Sequence, residues 1–578
     1  MTDILTQIKK EIEAYKEDSI ETSPGVYFSQ YKTLKKANAY KSSKFEKGDI
    51  DPLTKKKKVF FQISRFRARV TAKMLDFDVK DLRVISNRVF DLFAQLKAYL
   101  LEKRIKNWAK ENGFTTVLND IVQSCADYGS AVVKKPKGKP AEVKDLKYIY
   151  LDTSVRNIHD SAFIIEEKEM RRDEIEAKKD SWDNVDEVLR IFADDEKIKI
   201  YERYGIVEED GEFKKKMTIT TDRTGRGKKG LILFDEEIDE YPYQDFHINK
   251  IDGRWLGMGT YEELFDIQIR TNTIANQKAR ALELSSRQIF WSPDDLVAQN
   301  IMKDLDIGDI LKAQNISPLQ VENRGLSEFV SDEQRYDELA DRLTFTFDAI
   351  RGESLPSTTP ATNALLQNEN AASVFQQMRE NLATQIVKFI KELVLPDVVK
   401  VSRSEHVLKF MGDMKDLEKF DRLFTNQISQ QTAYKYLSKT GFYPEKGSIM
   451  KLEETISKKL KDSGLFRSVK IPAGFFSNIS DVDIMMDNES RDIPLQTQNL
   501  QTLIGMIMPN PQALDNPLIK SIIYAYSELL GISPVELELA QNEQNQNANL
   551  QTTQGRLPQV NPEQGLATGQ RTSQPILR

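Results

Sequence analysis

Residues 255–286 read WLGMGTYEELFDIQIRTNTIANQKARALELSS, with no proline and no glycine after Gly259. A stretch of that length without a breaker predicts one long helix. A second helix is predicted over 331–351, where Tyr336, Leu339, Leu343, Phe347 and Ile350 recur at spacings of three and four before Gly352 stops it. Between the two lies an insert, 287–330, broken by Pro293, Gly308, Pro318 and Gly325. GESLPSTTPATN follows at 352–363, and Pro356 and Pro360 keep it from continuing a helix. A third helix is expected from Asn363, with a stripe of Phe375, Met378, Leu382, Ile386, Phe389 and Leu393, closed by Pro396. The frame is therefore helix, insert, helix, polar loop, long helix.

A chain of 578 residues exceeds one compact core, so several packed regions are expected. Hydrophobic residues make up 39% and charged residues 30%, and no apolar run is long enough to suggest a membrane span. The N-terminal MTDILTQIKKEIEAYKEDS reads as an amphipathic helix of mixed charge rather than a signal peptide. Cys125 is the only cysteine, which excludes an intrachain disulfide and a cysteine-rich zinc site; it reads as a small buried residue of a helix over 117–128. The net charge of −6 argues against a strongly basic nucleic-acid reader. A protein past which DNA slides is a different case, because phosphate attraction is what makes DNA stick.

Outside the frame, helices are expected over 91–110 and 116–127, followed by a short strand in YGSAVVKK. From 147 to 243 the texture turns to β-type runs: YIYLD, AFIIEEKEM, IKIYERYG, KMTITT and LILFDEE, interrupted by a charged helix over 172–189. That is an α+β pattern without the regular alternation of a doubly wound sheet. Helices are also expected over 417–437 and 448–463, strands in FRSVKIPAGFF and SDVDIMM, and helices over 494–508 and 517–530. Beyond Ala540 the glutamine- and asparagine-rich composition predicts disorder. TKKKKVFFQISRFRARV, with Lys55–Lys58, Arg65, Arg67 and Arg69, is either a nucleic-acid contact or a solvated surface run; the second reading is preferred.

No local catalytic signature stands out. Gly225–Gly230 matches GxGxxG, but a strand-like LILF follows at once, so a hairpin tip is expected rather than a phosphate-binding turn. No GxxxxGK[ST] or GxSxG is present. His159, His247 and His406 are scattered and read as packing or surface residues. Asp481, Asp483, Asp487 and Glu489 lack the glycine of a calcium loop and flank a strand-like run. No catalytic residue, metal or cofactor is therefore expected.

In its order of elements the chain resembles the portal proteins of tailed bacteriophages, especially those of short-tailed phages. DYGSAVVK (127–134), YLDTSVRNIHDSAFIIEEKEMRRDEI (150–175), YERYG from Tyr201, DGRWLGMGTYEELFDIQIRTNTIANQ (252–277) and GESLPSTTPATNALLQ (352–367) carry the resemblance, over roughly residues 90–530. It implies a portal fold of the α+β class: an α/β wing (1–252 and 396–493), a helical stem (253–286 and 331–351), a small α/β clip (287–330), a tunnel loop (352–363), a long wing helix (364–395), a helical crown (494–540) and a disordered tail (541–578). It also implies a homo-oligomeric ring of twelve subunits at one capsid vertex of the virion, assembled in the host cytoplasm. Double-stranded DNA would be packaged and ejected through its axis. Its partners would be the major capsid protein, the large subunit of the terminase and a tail adaptor, with no membrane.

Carried onto this chain, the resemblance places Glu353, Ser354, Leu355, Pro356, Ser357, Thr358, Thr359, Pro360 and Thr362 on the channel. Trp291, Pro293, Leu305, Ile307, Ile310 and Leu311 would shape the clip and its docking surface, and Arg270, Lys278 and Arg280 would belong to the stem. The charges fit a conduit. Arg270, Lys278, Arg280 and Arg287 balance Glu262, Glu263, Asp266 and Glu283 on the first stem helix, and the clip has Asp294, Asp295, Asp304, Asp306, Asp309, Glu322 and Glu328 against Lys303, Lys312 and Arg324. Such a ring repels phosphate on average, so DNA moves without being trapped. The competing readings are another head-tail connector or minor capsid protein, a nucleic-acid-processing enzyme, and a nucleic-acid-binding module using Lys55–Lys58.

Overall fold

The computed structural model describes residues 4–51, 55–87, 91–193, 196–209, 212–224, 230–286, 289–291, 317–319, 326–347, 361–401, 406–411, 414–461, 466–471, 475–476 and 482–486. The chain is of the mixed α+β class and divides into two compact units. The first is built from 1–408 and 468–487; the second, among the described residues, from 409–467.

In chain order the first unit contains α1 (Ile4–Glu17), the β1–β2 hairpin (Ile20–Ser23, Val26–Phe28), α2 (Gln30–Lys41), α3 (Ser64–Leu75) and β3 (Leu82–Ser86). Next come α4 (Leu92–Glu111), α5 (Phe114–Tyr128), β4 (Ser130–Lys134), β5 (Glu142–Lys144), β6 (Ile149–Leu151) and β7 (Phe163–Arg171). They are followed by α6 (Arg172–Glu176), α7 (Val185–Ile191), β8 (Lys197–Glu209), β9 (Glu212–Thr224), β10 (Gly230–Glu237) and β11 (Tyr243–His247). Then come α8 (Thr260–Glu263), α9 (Phe265–Ser286), β12 (Ile289–Trp291), β13 (Ser317–Leu319), α10 (Leu326–Thr344) and α11 (Ala361–Phe389).

Strands β6 to β10 form one antiparallel sheet in the order β10-β9-β8-β7-β6. Side chains alternate between its faces. Tyr150, Ile165 and Tyr201 meet Leu5, Ile8, Ile12 and Tyr15 of α1 on one face, which is what the amphipathic N-terminal pattern is for. Ile198, Ile200 and Ile219 meet Ile175 of α6, Val188 of α7 and Phe192 just after it on the other. A second sheet, β11-β4-β5, is backed by α5, which buries Leu118, Ile121, Val122 and Cys125. Cys125 is the small buried residue expected of it, and burial pushes its thiol pKa up. The strands on either side of the GxGxxG segment pair antiparallel, with Gly230 opposite Thr224; residues 225–229, where the hairpin tip is expected, lie outside the described residues.

Four expectations about helices need correction. The single helix expected over 255–286 starts only at Thr260 and breaks at Leu264 into α8 and α9. The charged helix over 172–189 is two, α6 and α7, because Asn184 takes a left-handed backbone (φ 55) and its side-chain amide donates to the Ile232 carbonyl. The helix expected over 331–351 begins earlier and ends earlier, at Thr344, where Phe345 turns left-handed (φ 56) and the Thr346 N–H folds back onto the Asp341 carbonyl at 3.1 Å. Pro396 does not close the third long helix. A widened π turn, Ile390–Val394, precedes it, and α12 (Leu395–Val401) continues. The extra residue in that turn moves the buried stripe from the expected Leu393 to Val394 and Val398, and places the proline where helix geometry has already been loosened.

The second unit contains a helical hairpin of α13 (Met414–Thr440) and α14 (Lys446–Lys461). Gly441 (φ 75) makes the turn between them. Arg467 braces α13 by a two-pronged pair with Asp421 at 2.8 and 2.7 Å. No helix among the described residues is long and apolar enough to cross a membrane.

Candidate functional site: a rooted helix pair

Helices α9 and α10 pack against each other, and each is buried at one end only. On α9, Ile267, Gln268, Thr271, Asn272 and Ile274 are buried near the start, while Ala279, Arg280 and Leu282 are exposed. On α10 the order reverses: Ser327, Glu328 and Val330 are exposed, and Ala340, Asp341 and Thr344 are buried. The buried ends lie together with Ile63 and Leu264 in one apolar cluster. The pair is tied along its length by Lys278 to Glu333 at 2.9 Å and by the looser Arg270–Asp332 pair at 3.9 Å. Arg280 reaches back to Asp51 at 2.6 Å. All three stem cations expected from the sequence are thus used in pairing within the chain.

The basic stretch at 55–69 turns out to be part of this root. Residues 58–63 run alongside α9, and one face of that helix holds them by amide side chains one turn apart. Asn276 accepts from the Val59 N–H at 2.9 Å and donates to the Val59 carbonyl at 2.9 Å. Asn272 accepts from the Phe61 N–H at 2.8 Å. The Gln268 Oε1 accepts from the backbone N–H of Ile63 and of Ser64 and from the Ser64 hydroxyl, at 3.0–3.2 Å, and its Nε2 donates to the Phe61 carbonyl. Backbone groups of Val59, Phe61, Ile63 and Ser64 are therefore satisfied by a helix. Arg67 of α3 is buried and pairs with Asp337 and Asp341 of α10, both at 2.7 Å. The Gln268, Asn272, Asn276 spacing of four was a readable amide stripe; its partner segment was not.

The entry to α8 and α9 is fixed by backbone packed on backbone. A Cβ on Gly257 would lie 2.4 Å from the Gly129 and Ile248 carbonyl oxygens, and one on Gly259 would lie 2.4 Å from the Asp127 oxygen and the Gly129 nitrogen. Gly129 itself is left-handed (φ 78). Two of the stretches that carry the portal resemblance, 127–134 and 252–277, are therefore locked together here.

At the same point Ser130, His247 and Asp245 form a chain. The Gly257 N–H donates to the Ser130 Oγ at 2.8 Å, the Ser130 Oγ lies 2.8 Å from His247 Nδ1, and His247 Nε2 lies 2.9 Å from Asp245. The Asp245 carboxylate also accepts from the Ile158 N–H and the Trp255 indole. Burial pushes the His247 imidazole below its ordinary value. For Asp245 burial works upward, but the bonds from His247, Ile158 and Trp255 hold it below. A neutral ring that accepts from Ser130 and donates to Asp245 satisfies every partner. Ser130 is 0% exposed and its oxygen already receives an N–H, so the arrangement holds the entry to α8 and α9 rather than offering a nucleophile. Gln385 of α11 clasps the His247 backbone from the other side, accepting from its N–H at 2.7 Å and donating to its carbonyl at 2.9 Å.

A second buried ionic group ties the two sheets. Lys134 pairs with Glu166 at 2.7 Å and with Glu202 at 2.5 Å. Lys144 and Lys168 add pairs to Glu166 at 3.0 and 3.2 Å, and the Tyr243 and Tyr204 hydroxyls donate to Glu166 and Glu202. Burial raises the Glu166 carboxyl, but the three lysines outweigh it and hold it down at about 2. Nothing in the spacing of these residues announced the cluster.

Of the other expected site residues, Trp291 lies in β12, which pairs antiparallel with β13 within the chain, Trp291 opposite Ser317. Thr362 lies in the first turn of α11. Glu353, Ser354, Leu355, Pro356, Ser357, Thr358, Thr359 and Pro360, and Pro293, Leu305, Ile307, Ile310 and Leu311, lie outside the described residues, as do the crown and tail. No protein-family model matches the chain, and no curated protein matches it.

Proposed function

We propose that the chain is one subunit of a ring of the portal type, set at a single capsid vertex, through whose axis double-stranded DNA is packaged and later ejected. The observation that carries the reading is the rooted pair α9–α10. Two helices leave one anchored base, a short strand pair follows the first, and the second returns to the same base. That is the stem–clip–stem order of the resemblance. In a lone subunit the pair leaves Ile269, Leu282, Leu339 and Leu343 40–46% exposed, more large apolar surface than a solitary helix pair needs and of a kind that neighbouring subunits cover. The short polar segment between α10 and α11 is the natural channel loop, and the clip the docking surface for terminase and adaptor.

Light scattering with negative-stain imaging of the purified full chain tests this. A closed ring with a central hole is expected. A stable monomer at every salt concentration overturns it. A ring that joins only filled heads and never engages a packaging ATPase would identify another head-tail connector. Deleting residues 354–359 should leave the ring and impair packaging or DNA retention; infectious particles with full-length genomes would remove the channel role from this loop.

A further inference from the structure

We infer that the strap at 55–63 together with the outer face of α3 is a binding surface for the phosphate backbone of duplex DNA, separate from any channel lining. From Lys55 to Lys73 the chain has eight basic residues and no acidic one, in a protein whose net charge is −6. Read as sequence, that run is a solvated surface segment. Its geometry is different. The backbone of 59–64 is held to α9 by Gln268, Asn272 and Asn276, so the strap is ordered and cannot collapse onto its own charges.

Lys73 at the end of α3 aside, the cations divide into two groups. Arg67 is buried against Asp337 and Asp341, Lys56 pairs with Glu283, and Lys58 donates to the Gly48 carbonyl, so these hold the strap in place. Lys55, Lys57, Arg65 and Arg69 are exposed and enter no ion pair with another described residue. Val59 and Phe61, exposed at 48% and 42%, lie between them and supply apolar contact for sugar edges. Four exposed cations on a fixed scaffold, of which Arg69 alone also acts on a described carboxylate, the buried Asp127, match a polyanion. A folded acidic protein presents mixed charge and fits this surface less well. Ordering the cations in advance lowers the entropy lost on binding.

The inference does not depend on ring formation. The test is fluorescence anisotropy of the full-length protein with a short labelled duplex across salt concentrations. Four phosphate contacts give a slope of log affinity against log salt of about −3.6, so raising salt from about 50 to 200 mM weakens binding about a hundredfold. The quadruple variant Lys55→Gln, Lys57→Gln, Arg65→Gln, Arg69→Gln should lose that slope and at least tenfold in affinity at the lower salt. The charge-preserving set Lys55→Arg, Lys57→Arg, Arg65→Lys, Arg69→Lys should retain both. An unchanged melting curve for each variant separates binding from folding. Binding without salt dependence, or a quadruple variant that binds as the wild type does, overturns the inference. So does displacement of the duplex by polyglutamate at equal charge concentration, which would point to an acidic protein instead. Whether the same preparation forms rings is read separately and bears only on the portal assignment.

Discussion

Gly257→Ala is the sharpest test of how the α9–α10 pair is rooted. The added Cβ would sit 2.4 Å from two carbonyl oxygens, those of Gly129 and Ile248, which belong to different segments. Both are backbone, so neither can swing aside as a flexible side chain would. Relief requires the 257–259 entry to lift from the β4–β11 sheet, stretching the Gly257 N–H bond to Ser130 (2.8 Å) and disturbing the Ile248 N–H bond to Gly129 (3.0 Å). Overpacking costs about 1–3 kcal/mol, and two weakened hydrogen bonds add about 1 kcal/mol each. The sum, about 3–5 kcal/mol, is a large part of the stability of an ordinary domain. The control is Gly253→Ala. Gly253 has a left-handed backbone (φ 82) but open space around its Cβ position, so only conformational strain of about 1–2 kcal/mol is at stake. In scanning calorimetry the first-unit transition should fall by several degrees in Gly257→Ala and distinctly less in Gly253→Ala. Equal shifts, or a Gly257→Ala protein as stable as wild type, would refute the backbone-on-backbone account.

Two further outcomes follow from the same geometry. Gln268→Leu removes the acceptor for the Ile63 and Ser64 N–H groups and the donor to the Phe61 carbonyl, so the strap should loosen by about 2–3 kcal/mol and trypsin should cut at Lys55–Lys58 much faster; unchanged cleavage would mean the amide ladder does not hold it. Glu166 has its folded carboxyl held at about 2 against an ordinary 4.5, so its contribution is complete above pH 4.5 and is lost as pH falls from there through 2, worth about 3 kcal/mol in all. Glu166→Gln should flatten the stability–pH curve in that window and lower stability at neutral pH, where Lys134 and Lys144 lose a charged partner; an unchanged acid limb would show that other carboxylates set it.

What could be read from the sequence was what depends on local pattern. The strands of the five-stranded sheet, the start of α4 at its Asp91 cap and the buried stripe of α11 up to Phe389 all follow from periodicity and capping. The failures came where a tertiary contact overrides the pattern. Nothing local says that Phe345 will turn left-handed while Thr346 folds back on Asp341, or that a π turn will carry α11 past Pro396. The buried Lys134 cluster joins residues from β4, β5, β7 and β8, and the Ser130–His247–Asp245 chain joins residues separated by more than a hundred positions. One sequence carries no trace of such pairings.

The basic run at 55–69 shows why composition alone misjudged the root. As a string of cations it argues for solvent, because charges side by side repel and gain most from water. That holds only if the backbone beneath them is free. Here backbone groups of Val59, Phe61, Ile63 and Ser64 are taken up by three amide side chains of α9, and Arg67 turns inward to meet two aspartates of α10. Charges repelling on a tethered segment cannot disperse it; they can only project outward or find partners. Lys56 and Arg67 find partners on the helix pair, and Lys55, Lys57, Arg65 and Arg69 project. The same stretch thus clamps the α9–α10 pair and presents a cationic face, and the two roles separate residue by residue: neutralising the outward four should leave the clamp, and removing Gln268 should release it with all its charges intact.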